Sequence, residues 1–479
     1  MKRYGLLGEK LSHSYSPTIH NFIYEALRLD ASYSLLECKE EDLGHYLKEL
    51  KKGTYAGFNV TIPYKKKILS LLDEVDQKAS KIGSVNTVYL RNGRTYGTNT
   101  DYDGFLETLK YYKLDVKDKD CYILGTGGAS LAIYQVLKDL DANCFFVSRT
   151  PIQNQLSYQE LADKKIDLLI NTTPVGMYPN VDASPVSSSI AKQANDVIDI
   201  IFNPQNTKLL IDAGSTKNGL YMLMLQAIRS EKIWQGKQIV ISLEEMTKRL
   251  SFMMSLPKDI FSYVQQLKFK KNSIGWSEDE VYEFEDKYIL KVSADKDRLS
   301  REMIRVDWLE DKIPGSKSIL YREHNSKFYF LRTRIQGDSL ISKRFLENPL
   351  KLIQTLKNVV GVLRKLDGMA CPFSATDDKG SSFVHGDLCL PNIFVNSNDD
   401  FIGFIDLDNA GLGDPWYDYA WLIWSFEFNL RTKEYTELLL KELGLQWNEE
   451  KYNQYIPKEY QEILKESIIK KNDIIYVKA

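Results

Sequence analysis

At 479 residues the chain has the length of roughly three ordinary domains. Hydrophobic residues make up 43% and charged residues 27%, with a net charge of −2, a globular balance whose charge gives no reason to expect attraction to nucleic acid or membrane. The five cysteines, Cys38, Cys121, Cys144, Cys371 and Cys389, are scattered and never in CxxC spacing, which argues against a disulfide framework or a zinc site and fits a reducing cytosol.

The opening stretch MKRYGLLGEKLSHSYSP turns polar after three apolar residues, and no apolar run reaches the ~18 residues of a membrane span. A cytoplasmic location is the expectation. From residue 1 to about 200, short apolar runs (YGLLG, AGFNVTI, TVYL, CYILG, CFFVS, IDLLIN, DVIDII) alternate with helical-length segments, the pattern of an α/β fold with mostly parallel strands. CYILG breaks into Gly125, Gly127 and Gly128, followed by Ala129 and a helix-compatible segment. Such glycines permit a tight turn and close approach to a pyrophosphate at a helix N-terminus. The next strand ends in Ser148, Arg149 and Thr150, where an NAD site places an acid on the ribose. A cation beside hydroxyls favours the 2′-phosphate of NADP instead, although no second basic residue follows in PIQNQ.

Residues 216–234 have helical apolar spacing, a second apolar helix is expected around 243–266, and KFKKNS at 268–273 suits a domain junction. Beyond it, 281–293 and 328–333 are β-rich, and everything from about 341 reads as helices around one strand-and-loop segment. No internal repeat is evident.

The motifs LSHSYSP, GFNVTIPYK, IGSVNTV, GTNTDYDGF, GTGGASLA, INTTPVGM, DIIFNP and GLYMLMLQA, in this order, resemble shikimate dehydrogenase over roughly residues 1–260. The resemblance implies a discontinuous substrate domain, 1–100 and 216–267, around a Rossmann NADP domain at 101–215. It also implies that Ser14, Ser16, Asn59, Thr61, Asn86 and Gln226 hold the carboxylate and hydroxyls of the substrate, with Lys65 and Asp101 as the catalytic pair. Taken singly, Lys65 in YKKK reads as a solvated helix start, and Ser14 and Ser16 as turn residues before Pro17. Two positions depart from the family: Phe202 stands where a tyrosine is common, and Tyr102 where a glycine is common. Quinate or an amino-substituted analogue therefore stays open as substrate.

Metal-dependent phosphoryl transfer needs a carboxylate at the acceptor hydroxyl, oxygen ligands for Mg²⁺ and a cation on the phosphates. VHGDLCLPN supplies Asp387 and, five residues on, Asn392, while FIGFID supplies Asp406, the spacing of a kinase catalytic loop and metal-binding aspartate. Residues 273–450 resemble aminoglycoside phosphotransferases and choline-kinase-like enzymes, implying an α+β two-lobed kinase-like domain with lobes at 268–340 and 341–479. By that resemblance IGWSEDEVYEF is a nucleotide loop containing only Gly275, Lys291 binds phosphate, Glu302 is its ion-pair partner, Asp387 is the base, and Asn392 and Asp406 are magnesium ligands. Asp418 in DYAWL is expected to support the fold. Only ten residues separate ACPF from VHGD, and the ending IIKKNDIIYVKA is basic, which fits a polycationic drug poorly.

The combined expectation is an NADP-dependent enzyme interconverting 3-dehydroshikimate and shikimate, fused to an ATP- and Mg²⁺-dependent phosphotransferase for a small hydroxylated acceptor, with shikimate a candidate. Its partners are small molecules rather than nucleic acid or membrane. Two rivals stand beside it: a phosphotransferase with a vestigial dehydrogenase, and a non-enzymatic metabolite sensor.

Overall fold

The computed structural model describes residues 1–272, 279–375 and 380–469. Two compact units divide the chain, Met1–Lys268 and Phe269–Ala479.

The first unit contains two sheets. One has six strands in the order Ala31–Glu37, Lys2–Gly8, Gly57–Val60, Thr87–Arg91, Arg94–Thr98, Glu74–Val75. The first three are parallel, but Gly57–Val60 meets Thr87–Arg91 antiparallel. Residues Asn92 and Gly93, with φ of 52° and 75°, then turn a tight hairpin into Arg94–Thr98. The sheet is thus mixed, because a two-residue turn leaves no room for a crossover. The second sheet is wholly parallel, in the order Asp196–Asp199, Leu168–Asn171, Asp120–Leu124, Asn143–Ser148, Gln155–Ser157. Its central strands are buried apolar runs, as helices on both faces require.

Helices Thr100–Tyr111 and Leu220–Gln235 pack tightly against each other. Gly104 permits the approach, since a Cβ there would lie 2.9 Å from Gln226 Cβ and 3.0 Å from the Met222 carbonyl oxygen. The single apolar helix expected at 243–266 is two, Leu243–Ser255 and Lys258–Val264. Pro257 is the reason: it has no N–H to continue the ladder and drives Leu256 into an extended conformation.

The second unit begins with a five-stranded antiparallel sheet, in the order Phe269–Asn272, Glu280–Phe284, Tyr288–Ser293, Lys327–Thr333, Ser318–His324. Helix Lys296–Leu309 packs on it. Helices Pro349–Leu366, Pro415–Leu430, Thr436–Leu443, Glu449–Tyr455 and Lys458–Ile469 follow, around a core that includes Leu352, Leu356, Trp424 and Phe426. The expected strand-and-loop segment is more elaborate. Asp338–Ser339, Ile393–Val395 and Phe401–Phe404 form one small sheet, and Ser382–Val384 pairs with Gly411–Gly413. The proposed nucleotide-loop glycine, Gly275, and the basic ending from residue 470 lie outside the described residues. Among the described residues no helix is long and apolar enough to cross a membrane.

Candidate active sites

Lys65 lies in the turn after strand Gly57–Val60, where its carbonyl accepts a 2.8 Å bond from the Val85 N–H. Asp101 sits in the first turn of helix Thr100–Tyr111, whose cap Asn99 accepts bonds from the N–H groups of Asp101 and Tyr102. The positive end of the helix favours a carboxylate there. Lys65 Nζ and Asp101 Oδ2 stand 2.6 Å apart, with side chains 17% and 10% exposed. Both open into a cavity of about 370 Å³. Ser14, Ser16, Asn59, Thr61, Asn86 and Gln226 line it, as do Ala129 and the departing residue Phe202. Phe202 meets Tyr15 edge-on at 5.9 Å. Tyr102 does not line this cavity; its hydroxyl donates to Asp139.

Strand register brings the polar wall together, because Asn59 is paired with Thr87. Asn86 Oδ1 accepts from the Thr100 N–H at 2.7 Å and from the hydroxyls of Thr87 and Thr100. Its remaining donor group is the amide Nδ2. Asn59 is engaged inward: Oδ1 accepts from the Tyr33 hydroxyl at 2.8 Å, and Nδ2 lies within 3.2 Å of Asn86 O, Thr87 Oγ1 and Ser230 Oγ.

Tyr33 in turn stacks on His20 at 4.0 Å, and His20 Nδ1 is 2.6 Å from Glu231 Oε1, both side chains buried. Gln235 donates to the other Glu231 oxygen at 2.9 Å. Burial, and then the charge of Glu231, hold the Tyr33 phenol well above its ordinary range. Its hydroxyl therefore stays protonated and donates.

Gly125 has φ of +104°, and a Cβ there would come within 2.9 Å of Thr172 Oγ1, so the turn requires glycine. Helix Gly128–Asp139 starts at Gly127 with no side-chain cap bond, leaving its first N–H groups for a ligand. A Cβ on Gly128 would lie 3.7 Å from Lys65 Cδ. The turn thus borders the Lys65–Asp101 pair. At the end of the next strand Ser148 Oγ accepts from the Thr150 N–H at 3.2 Å, and Arg149 is exposed with no ion pair found among the described residues. These residues fit a dinucleotide carrying a 2′-phosphate.

The second unit holds a cavity of about 520 Å³ lined by Lys291, Asp387 and Asp406, together with Arg298, Arg332 and Arg334. Lys291 Nζ is 2.7 Å from both Glu302 Oε2 and Asp406 Oδ1. Burial alone would lower the Lys291 pKa, but Asp406 and Glu302 outweigh it and hold the ammonium above its ordinary range. Asn392 Nδ2 donates to Asp387 O at 3.0 Å and Oδ2 at 2.7 Å. Its Oδ1 is buried with no hydrogen-bond partner among the described residues, an oxygen suited to a hard cation. No cluster of three or more His, Cys, Asp or Glu able to hold a metal is found among the described residues. Asn392 Oδ1 and Asp406 would be the protein donors to Mg²⁺, which takes few protein ligands and keeps several waters.

The first unit decides the family. Over 253 residues the chain is 42% identical to the shikimate dehydrogenase (NADP(+)) of Clostridium beijerinckii, spanning 94% of that protein and 50% of this one. The chain belongs to the shikimate dehydrogenase family. It is also 39% identical over 261 residues to the Clostridium perfringens enzyme of that name, covering 96% of it and 51% of this chain. Residues 6–88 match the shikimate dehydrogenase substrate binding domain. Among solved structures, the chorismate mutase/shikimate 5-dehydrogenase fusion protein from Clostridium acetobutylicum is 37% identical, with a TM-score of 0.50, covering 53% of this chain and 97% of that one. A shikimate dehydrogenase solved with NADP⁺ is 33% identical, also with a TM-score of 0.50, covering 53% of this chain and 96% of that one. Residues 378–453 match the phosphotransferase enzyme family. The shikimate dehydrogenase fold is therefore followed by a kinase-like domain.

Motif reading did not single out His20, Tyr33, Ser230 or Glu231 in this shikimate dehydrogenase unit. They share no local spacing, and only the packing of helix Leu220–Gln235 brings Ser230 and Glu231 to the wall. In the kinase-like unit it named Lys291, Glu302, Asp387, Asn392 and Asp406 but not Arg332. Asp418 holds the loop before Asp387, accepting from the His385 N–H at 2.6 Å and the Gly386 N–H at 2.9 Å. Burial pushes its pKa up to about 7 in spite of these bonds. A carboxyl raised in the folded state contributes stability that is fully present below its unfolded value and is lost as pH rises through about 7. Calorimetry should therefore show the second unit gaining stability from this group as pH falls from about 7 toward the ordinary carboxylate range. Asp418→Ala should remove that slope and lower the melting temperature, since two buried N–H groups lose their acceptor.

Proposed function

We propose that the first unit catalyses the reversible NADP-dependent reduction of 3-dehydroshikimate to shikimate. The observation that carries this reading is the 2.6 Å Lys65–Asp101 pair inside a cavity that also reaches Ala129 of the glycine turn. In this reading, 1–100 with 216–267 is the substrate domain and 101–215 the cofactor domain. Gly125, Gly127, Gly128 and Ala129 would hold the pyrophosphate of NADP, and Ser148, Arg149 and Thr150 its 2′-phosphate; when bound, this cofactor supplies or accepts the hydride. Ser14 and Ser16 bind the substrate carboxylate by their hydroxyls. Thr61, Asn86 and Gln226 bind its ring hydroxyls, and Asn59 orders the wall behind them. Lys65 donates the proton that the ketone oxygen gains on reduction and takes one from the hydroxyl on oxidation, while Asp101 orients the ammonium and accepts a hydrogen bond from the substrate.

Tyr33→Phe keeps the stack on His20 but deletes the donor to Asn59. It should raise the KM for shikimate about tenfold, the cost of one unsatisfied buried acceptor, with the KM for NADP⁺ unchanged. Steady-state kinetics in both substrates check this.

The second unit, in this reading, transfers phosphate from a nucleoside triphosphate, ATP in the enzymes it resembles, to an alcohol. Asp387 takes the acceptor proton, Lys291 neutralises phosphate charge, Glu302 holds Lys291, and Asn392 and Asp406 would ligate Mg²⁺, which when bound offsets charge on the phosphates. Tyr417, Trp421 and Tyr460 line the same cavity as Asp387 and supply an apolar wall for the acceptor. Fusion makes shikimate the first acceptor to test. The deciding experiment is a paired assay on the full chain: shikimate-dependent NADP⁺ reduction, then nucleotide- and Mg²⁺-dependent phosphorylation of shikimate. Absence of the first activity with shikimate, quinate and their amino analogues would overturn the dehydrogenase reading, and phosphorylated shikimate would join the two units as consecutive steps.

A further inference from the structure

We infer that Arg332 reads the base of the nucleotide, and that the second unit prefers a 6-oxopurine triphosphate such as GTP over ATP. This rests on the reading of the second cavity as a nucleotide site. Arg332 lies on strand Lys327–Thr333, directly opposite Ile289, while Phe330 is opposite Lys291. Paired residues share a face, and residues two apart repeat it. Arg332 therefore stands on the Lys291 face but one repeat along, about 7 Å away from the lysine's row.

The cavity has two chemically different ends. Lys291, Asp387 and Asp406 carry the charge expected for phosphates and metal, whereas Val281, Ile289, Ile335, Phe394 and Ile405 make an apolar slot for a flat ring. The register puts Arg332 beside the slot. Its side chain is 5% exposed, and Glu302 Oε1 is 4.0 Å from its Nε. That Nε has no hydrogen-bond partner among the described residues. A buried guanidinium with unused donor capacity is costly unless a ligand accepts from it.

A guanidinium donates and never accepts. The O6 and N7 edge of guanine offers two acceptors to such a fork, whereas adenine puts an amino donor where O6 would be. Arg332 would thus attract one base and face the other donor to donor. If Arg332 served only as a second counter-ion of Glu302, base identity would not matter.

The test is competitive displacement of a fluorescent GTP analogue from the full chain with Mg²⁺, using GTP, ITP, 7-deaza-GTP and ATP. GTP and ITP should bind at least about tenfold more tightly than ATP. Loss of N7 in 7-deaza-GTP should cost several-fold, and Arg332→Met should bring GTP and ATP within about twofold of each other. ATP binding as tightly as GTP would overturn the inference and leave the nucleotide reading intact. If neither GTP nor ATP binds, the phosphotransferase reading itself falls. Should Arg332→Met fail to fold, the wild-type ranking of GTP, ITP, 7-deaza-GTP and ATP decides alone.

Discussion

Replacing Lys65 with alanine should lower kcat for shikimate oxidation by about 10²–10⁴-fold, the range typical of a positioned proton-transfer group, while the Kd for NADP⁺ stays within about twofold. The ammonium is 2.6 Å from Asp101, and its side chain borders the glycine turn without belonging to it, the nearest approach being 3.7 Å from a Cβ built on Gly128. Cofactor affinity should therefore survive. Asp101→Asn should cause a smaller loss, because a lysine without its partner is still present but no longer oriented. The double variant should be little worse than Lys65→Ala alone, since groups acting as a unit do not contribute additively. Stopped turnover measured beside cofactor titration separates the outcomes. Turnover kept near the unmodified level by Lys65→Ala would remove Lys65 from the chemistry and leave it a binding residue.

Asp387→Asn is the second large effect. Phosphoryl transfer should fall by about 10²–10⁴-fold, while NADP⁺ reduction by the same preparation is unchanged. Asparagine keeps the shape of the side chain and can still accept a bond from Asn392 Nδ2, which now lies 2.7 Å from Asp387 Oδ2. The loop should therefore persist, held from behind by Asp418 through two backbone N–H groups. What disappears is the carboxylate proposed to receive the acceptor proton. Product formation with a panel of small alcohols, shikimate first, measures the change. A parallel loss of NADP⁺ reduction would show that the two sites do not act independently.

The residues proposed to touch reacting atoms were legible in the sequence because the chemistry proposed for them demands short local spacings. A kinase-type catalytic loop places its aspartate and asparagine five residues apart, as Asp387 and Asn392 stand, and the tight turn under the helix needs glycine at Gly125, whose φ is +104°. The order of eight motifs added what single residues lacked: Lys65, read alone, is one lysine in a basic run. Helix continuity was legible only in part. The apolar pattern at 243–266 hid a break that Pro257 imposes by stereochemistry.

Apolar alternation marked the first unit as α/β, and the order of the motifs carried the resemblance to shikimate dehydrogenase followed by a phosphotransferase-like segment, from which the side chains proposed for proton transfer, cofactor turn and metal were named. Tertiary structure alone decided what stands behind them. Glu231, His20 and Tyr33 come from distant segments and meet because helix Leu220–Gln235 packs beside the first sheet, where a buried carboxylate must find partners. Arg332 looks like an ordinary strand arginine until its register with Ile289 turns it into the cavity and takes it out of water. Sequence spacing specifies local geometry, whereas burial of charge is a property of the whole packed fold, and burial gives these residues their chemistry.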